Sequence, residues 1–121
     1  LEFRRVLFRS GRRTINWDKP SKWSVDLLYS YIELIDLRKR SHALAHGGIR
    51  WIHVDADSVA YLRESKKESI LVFVSRGTTK ASIDLSPYGY SISETLFGPE
   101  VNGKKLNLKS KGAVAGIWLL K

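Results

Sequence analysis

The sequence has no cysteine among its 121 residues, which excludes both a disulfide framework and a thiolate metal site. It also lacks a long apolar run, since short stretches such as residues 70–74 and 117–120 are the longest. Neither approaches the roughly 20 residues that a helix needs to span a bilayer, so no membrane partner is expected. The hydrophobic share of 43% is still enough for the core of one small domain, or of one domain with part of another.

Motifs of catalysis are also scarce. The Gly-x-Ser-x-Gly pattern of a nucleophile elbow and the spacing of a phosphate-binding loop are both absent. Counting alone does not exclude a pair of carboxylates for glycoside hydrolysis, but nothing in the spacing pairs them. Glu64, Glu68 and Glu94 fall at predicted strand ends and turns, where we expect solvated charges. The residues themselves therefore predict no catalytic group and no cofactor.

The formal net charge is +9, which taken alone favours a nucleic-acid partner. Short basic clusters occur at residues 38–40 and 109–111, and the remaining excess is spread along the chain. A surface for single strands would combine a basic groove with exposed stacking aromatics. Trp51, Tyr61 and Phe73 each lie within an apolar alternation, which predicts core positions instead. A free-standing basic β module that binds nucleic acid or another anionic polymer remains the alternative interpretation.

The first ten residues, LEFRRVLFRS, are similar to the translation of a common sequencing-library adapter. The competing interpretation is a targeting peptide. A secretory signal would need a continuous apolar region and a small-residue cleavage site, and this segment has neither. We therefore interpret residues 1–10 as an artefact and expect the genuine chain to begin near Gly11, inside a longer protein.

Residues 25–40 have the spacing of an amphipathic helix. Apolar side chains recur at intervals of three and four along two neighbouring series: Val25, Leu28, Ile32 and Ile35, and Leu27, Tyr31 and Leu34. Ser24 suits the N-cap, and the basic residues 38–40 suit the C-terminal end, where cations favour the helix dipole. The apolar stripe is too wide for a small partner, so we expect part of it to face a body outside this sequence.

From Gly47 onward the apolar pattern has a period of two, which predicts strands. Residues 47–64 predict a β-hairpin with its turn at residues 55–57, and strict alternation places Ile49, Trp51 and His53 on one face. Residues 41–46 are predicted as a turn. Further strands are predicted at residues 70–75, 80–85, 94–97, 105–109 and 114–120. The sequence thus predicts a mainly β fold, an antiparallel sandwich or small barrel.

His53, Asp55 and Asp57 form the one candidate metal cluster in the sequence. A zinc or calcium site needs at least three protein ligands in a closed geometry, and no further ligand is spaced to complete one. Aspartates in turns commonly bond their own backbone, which is the simpler interpretation. His42 and His46 flank a predicted helix end and are expected to cap carbonyls or meet solvent. No metal site is therefore predicted.

The order of four segments resembles the C-terminal part of an α-glucan-active enzyme of glycoside hydrolase family 13, the α-amylase superfamily. The segments are RRTINWD, LLYSYIELIDLRKRSHAL, GGIRWIHVDADSVAYLRE and ILVFVSRG. The likeness is greatest to α-glucosidases, neopullulanases and related maltodextrin-degrading enzymes. It covers about residues 11–120 and is most specific where the helix leads into the hairpin. Ser41, Thr14 and Asn16 depart from the family pattern at positions where proline is common.

The resemblance implies that residues 11–45 end a catalytic (β/α)8 barrel with its last helix, and that residues 46–121 form an antiparallel C-terminal β-sandwich. It implies a parent enzyme that cleaves α-glucosidic bonds of maltooligosaccharides with retention, using carboxyl groups on earlier barrel strands. The expected partner is the remainder of that barrel, and the chain alone is expected to be inactive. Arg12 best matches an arginine of the family's loop and is the one candidate for substrate contact, against the simpler role of a loop ion pair.

A third possibility is that aromatic side chains of the β module hold starch. Trp118 and Tyr88 are the candidates for this role, although a tryptophan in a terminal strand is usually a core residue.

Overall fold

The computed structural model describes residue 15 and residues 17–121, apart from the side chain of Lys22. The chain divides into two compact units, of which the first ends at Ile32 and the second is Glu33–Lys121. Arg12, the predicted substrate contact, lies outside the described residues, as do Thr14 and Asn16. That prediction therefore remains untested.

Helix α1 (Val25–Arg40) has the bounds that the apolar spacing predicts. The carbonyl of Ser24 accepts the first helical hydrogen bond, from the Leu28 N–H at 3.0 Å. In the first unit the helix is preceded by a 3-10 turn at Pro20–Lys22, and the rings of Trp17 and Trp23 meet edge to face at 5.7 Å. Within the described chain, neither α1 nor any other helix has the length and apolarity needed to cross a membrane.

The predicted turn at residues 41–46 is instead a second helix, α2 (His42–His46). Ser41 is its N-cap and accepts a hydrogen bond from the Leu44 N–H at 3.1 Å. The helix ends at Gly47, where a β-carbon would collide with the carbonyl oxygens of Ala43 and Glu64. Glycine is required here because the chain passes too close to these carbonyls for any side chain.

All of the predicted strands are present, and they form two antiparallel sheets. The strands are β1 (Gly48–Val54), β2 (Ser58–Glu64), β3 (Ser69–Ser75), β4 (Thr79–Asp84), β5 (Ile92–Phe97), β6 (Lys105–Ser110) and β7 (Val114–Leu120). The larger sheet has the order β1-β2-β3-β7-β5, and β4 pairs with β6 in the smaller one. The mainly β, antiparallel sandwich predicted from the sequence is confirmed.

The main core lies between the two sheets. Its largest fully buried side chains are Trp118, Phe73, Leu62, Leu71, Leu85 and Leu106. Phe73 is therefore a core residue, as the alternation predicts. Trp118 is also buried, and its indole Nε1–H donates to the Pro99 carbonyl at 3.0 Å. The possibility that Trp118 holds starch is wrong, because the ring has no exposed surface to offer.

A β-bulge in β1 overturns two predictions that rest on strict alternation. The register of β1 against β2 shifts between Trp51, which pairs with Tyr61, and His53, which pairs with Ala60. His53 consequently faces the main core, stacked on Phe73 at a ring distance of 6.3 Å. Trp51 lies on the opposite face with 58% of its surface exposed, so its predicted core position is wrong.

We predict that Gly116→Ala destabilises the sandwich. A β-carbon at Gly116 would collide with the Trp118 ring, which is enclosed on all sides and cannot move away. Overpacking of this kind costs about 1–3 kcal/mol of unfolding free energy, measurable by urea denaturation. Gly112→Ala is the matched control, because apart from its own chain neighbours no residue has an atom within 4 Å of its β-carbon position. Equal stability of the two variants would contradict the packing of Trp118.

Candidate docking surface

The five-stranded sheet has apolar side chains on both faces. In β3, Leu71 and Phe73 point into the main core, whereas Ile70, Val72 and Val74 point to the other side, here called the outer face. An antiparallel sheet with one solvated face normally alternates apolar and polar residues. The outer face therefore also requires a cover.

The end of α1 and the whole of α2 cover only part of the outer face. Leu37, Ala43 and Leu44 bury Ile70 and Val72 beneath them. Side chains around this second cluster are only partly buried: Tyr61, Leu96, Phe97, Ile117 and Leu119. Four more remain largely exposed and are here called the outer patch: Ile49, Trp51, Val54 and Val74. A sheet face this apolar and this exposed is typical of an interaction surface.

Glu68, in the turn between β2 and β3, fixes α2 on the sheet. Its Oε1 atom accepts hydrogen bonds from the Ser41 hydroxyl at 2.6 Å and from the Ala43 N–H at 2.9 Å. In a capping box the acid is the third residue of the helix, which here is Leu44. The carboxylate comes instead from a turn 27 residues away from Ser41, so the helix is capped and tied to the sandwich by one group.

The pKa of Glu68 lies below its ordinary value. Desolvation, the largest single influence, raises the pKa, but the hydrogen bonds from the Ser41 side chain and from the backbone of Ala43 and His42 together outweigh it. The folded protein therefore favours the charged carboxylate. The expectation of a merely solvated Glu68 is wrong, and no local motif could have revealed its partners.

Glu64 is also engaged rather than solvated. It forms a salt bridge with Arg50 at 2.8 Å and accepts a hydrogen bond from the Tyr90 hydroxyl at 2.6 Å. Arg50 lies 5.3 Å above the Tyr88 ring. Tyr88, the second candidate for starch binding, is therefore half-buried beneath an arginine, which leaves it poorly placed as a stacking platform.

Helix α1 presents a second apolar surface. In the first unit its large apolar side chains are between 41% and 66% exposed: Val25, Leu27, Leu28, Tyr29, Tyr31 and Ile32. Ile35, in the second unit, is 51% exposed, and only Leu37 among the described residues of the helix is buried. The width of this stripe agrees with the sequence pattern.

The predicted metal candidates each have another partner. His53 Nε2 is 3.0 Å from the Ser58 hydroxyl, Asp55 accepts from the Ala56 N–H at 2.7 Å, and Asp57 pairs with Arg76 at 2.8 Å. Over residue 15 and residues 17–121, no group of three or more potential ligands is placed to hold a metal ion.

The two remaining histidines lie on α2. The rings of His42 and His46 are 5.2 Å apart, with His46 exposed and His42 half-buried. Two roles are expected for these histidines, capping of carbonyl groups or contact with solvent. The exposed side chain of His46 agrees with the second role.

The fold and sequence are similar to those of two solved sugar-converting enzymes. Trehalulose synthase MutB from Pseudomonas mesoacidophila MX-45 is 34% identical over 77% of this chain, with a TM-score of 0.63. Isomaltulose synthase PalI from Klebsiella sp. LX3 is 25% identical over 88% of this chain, with a TM-score of 0.68. No protein-family model and no curated protein sequence matches the chain.

The chain is similar in sequence and fold to the C-terminal part of these two enzymes, which are members of glycoside hydrolase family 13. This confirms the resemblance seen in the sequence. The chain spans 18% of the length of the trehalulose synthase and 20% of the isomaltulose synthase. In these family 13 relatives the C-terminal domain is a β-sandwich, the same architecture as that of strands β1–β7.

We predict that Glu68→Gln lowers the unfolding free energy at pH 7 by about 1 kcal/mol, because a charge-assisted cap is lost. The folded-state pKa of Glu68 is depressed, so the stabilisation is fully present above the ordinary value of 4.5. It disappears as the pH falls through the lower folded-state value. The unfolding free energies of the unmodified protein and of Glu68→Gln should therefore converge as the pH is lowered from 7 into the acid range. A difference in unfolding free energy that does not change with pH would contradict the role of the Glu68 charge. The control is Glu33→Gln, which removes an exposed carboxylate on α1.

We predict that Ile49→Lys combined with Val54→Lys reduces self-association and binding of a hydrophobic dye. Both side chains are more than half exposed, so the unfolding free energy should change by less than about 0.5 kcal/mol. Light scattering and dye fluorescence report the effect. Thr78→Lys with Ser82→Lys adds the same charge at exposed positions beside and on β4 and should leave dye binding unchanged. Equal effects of the two double variants would show that charge, not the outer patch, governs association.

Proposed function

We propose that this chain is the C-terminal supporting module of an enzyme that acts on α-glucosidic bonds, and that its outer face docks on the catalytic barrel of that enzyme. The observation that carries the proposal is the outer face itself. A small sandwich that acted alone would have no use for a second apolar sheet face with an exposed tryptophan.

The position of the helices supports this role. In the second unit, the end of α1 and α2 already lie on the outer face and bury Ile70 and Val72. The family resemblance implies that α1 is the last helix of the barrel. The barrel would then approach the sheet on the side that these helices occupy, next to the outer patch. Burial of apolar surface at about 25 cal/mol per Å² would stabilise such a contact.

The proposed chemistry is cleavage of an α-glucosidic bond with retention of configuration. A carboxylate attacks the anomeric carbon while a carboxylic acid protonates the leaving oxygen, and the glycosyl intermediate is then transferred. Transfer to water is hydrolysis, transfer back to another hydroxyl group of the released sugar is isomerisation, and transfer to a second sugar molecule is transglycosylation. A mutant of the related trehalulose synthase was crystallised with its substrate sucrose. Because the sequence resembles maltodextrin-degrading members of the family, we infer that the parent enzyme hydrolyses maltooligosaccharides, and conversion of sucrose is the alternative reaction.

The alternative of a free-standing basic module has less support. Its basic side chains are dispersed, with Arg38–Arg40 on α1 and the cross-strand pair Lys80 and Lys109 on the smaller sheet. Trp51 is the only largely exposed member of the three aromatic side chains considered for stacking, and it belongs to the outer patch.

The purified chain is predicted to show no turnover of sucrose, maltose or a chromogenic α-glucoside. The reason is that the reacting carboxyl groups are expected on barrel strands that precede it. A known α-glucosidase in the same assay serves as the positive control, and a cooperative urea transition shows that the chain is folded. Turnover by the folded chain that is removed by a carboxylate substitution within it would contradict the proposal.

A further inference from the structure

A polar cleft of about 720 Å³ opens beside β5 and β6, within the second unit. One wall is formed by β5 and another by β6, and residues 98–104, which join these strands, complete it. The side chains that matter for binding are Glu94, Thr95, Glu100, Asn102, Lys105 and Asn107.

The connecting segment is fixed in place by several hydrogen bonds. The Ile92 N–H donates to the Gly103 carbonyl at 2.7 Å, and the Trp118 indole holds the Pro99 carbonyl at 3.0 Å. Gly103 has a φ of +91°, a backbone conformation that favours glycine. Between these points the Val101 N–H donates to Thr95 Oγ1 at 3.3 Å. The cleft is therefore shaped before any ligand enters, which reduces the entropic cost of binding.

The lining groups offer both donors and acceptors. Asn107 Oδ1 already accepts from the Ser82 hydroxyl at 2.8 Å, so its amide NH₂ is left to donate. Thr95 Oγ1 already accepts from Val101, so its hydroxyl hydrogen is also left to donate. Glu94 and Glu100 supply carboxylate acceptors, and neither side chain forms a hydrogen bond or ion pair with another described residue.

Lys105 adds an ammonium donor. It pairs with Asp84 in the β4–β6 register, but the two side chains do not come within salt-bridge distance of one another. Its ammonium group is therefore available to a ligand in the cleft.

The donors and acceptors that line the cleft favour one class of ligand over others. Two carboxylates repel an anion, and the described residues hold no group of three potential metal ligands. The lining described here includes no aromatic ring that would favour a flat apolar molecule. A neutral polyol matches the cleft, because each of its hydroxyl groups both donates and accepts. We propose that the cleft binds a mono- or disaccharide.

The choice of sugars as ligands rests on the proposed function, whereas the shape and bonding capacity of the cleft do not. Titration of the full chain with sucrose, maltose and glucose, followed by ¹⁵N amide chemical shifts, tests the proposal. Saturable shifts confined to residues 92–107 are expected for at least one of the three sugars. Asn107→Ala should weaken that binding by roughly five-fold, since one hydrogen bond is lost.

Lys105→Ala and Lys109→Ala form a matched pair for the same titration. Both lysines are exposed on β6, but only Lys105 lines the cleft. We expect weaker binding in Lys105→Ala and unchanged binding in Lys109→Ala. Absence of saturable shifts with all three sugars, shifts centred on another surface, or equal effects of the two substitutions would each overturn the proposal. None of these results bears on whether the parent enzyme is active, so the two proposals fail separately.

Discussion

The central strand β3 has apolar side chains along its whole length, and the rest of the second unit is arranged to cover them. Leu71 and Phe73 point to one side of the sheet, and Ile70 and Val72 point to the other. Each of these four side chains is buried. Because exposure of either face would cost the burial energy of large aliphatic and aromatic groups, the sheet must be a middle layer. The two faces of the sheet are covered in different ways.

The chain itself covers the inner face of the sheet, because β4 and β6 close the core on that side. On the outer side the cover is incomplete, since a short helix clamped by Glu68 and the last turns of α1 shield only the centre of the sheet. The bulge in β1 then turns Trp51 onto this same face. The proposed domain interface would account for both the clamp and the exposure, because the helices would have to be held at a fixed position if a barrel were to continue from them.

The sequence predicts those features that depend on neighbouring residues. The bounds of α1, the β1–β2 hairpin and the seven strands follow from local periodicity and turn residues. The resemblance to glycoside hydrolase family 13 is also visible in the sequence, mainly through motifs on these elements. What it does not predict depends on distant partners. The helix at residues 42–46 needs the carboxylate of Glu68, and the orientation of Trp51 needs a bulge that alternation cannot show. The polar cleft is assembled from two strands and the segment between them, so no single motif marks it.

The account depends on the outer face being an interface with a preceding domain. The most direct measurement is the sequence of the genomic DNA upstream of the codon for Gly11. We predict an open reading frame that continues upstream through alternating strands and helices of a (β/α)8 barrel, with Asp, Glu and Asp at the ends of successive strands. A start codon close to Gly11, or an upstream frame without such a barrel, would contradict the account.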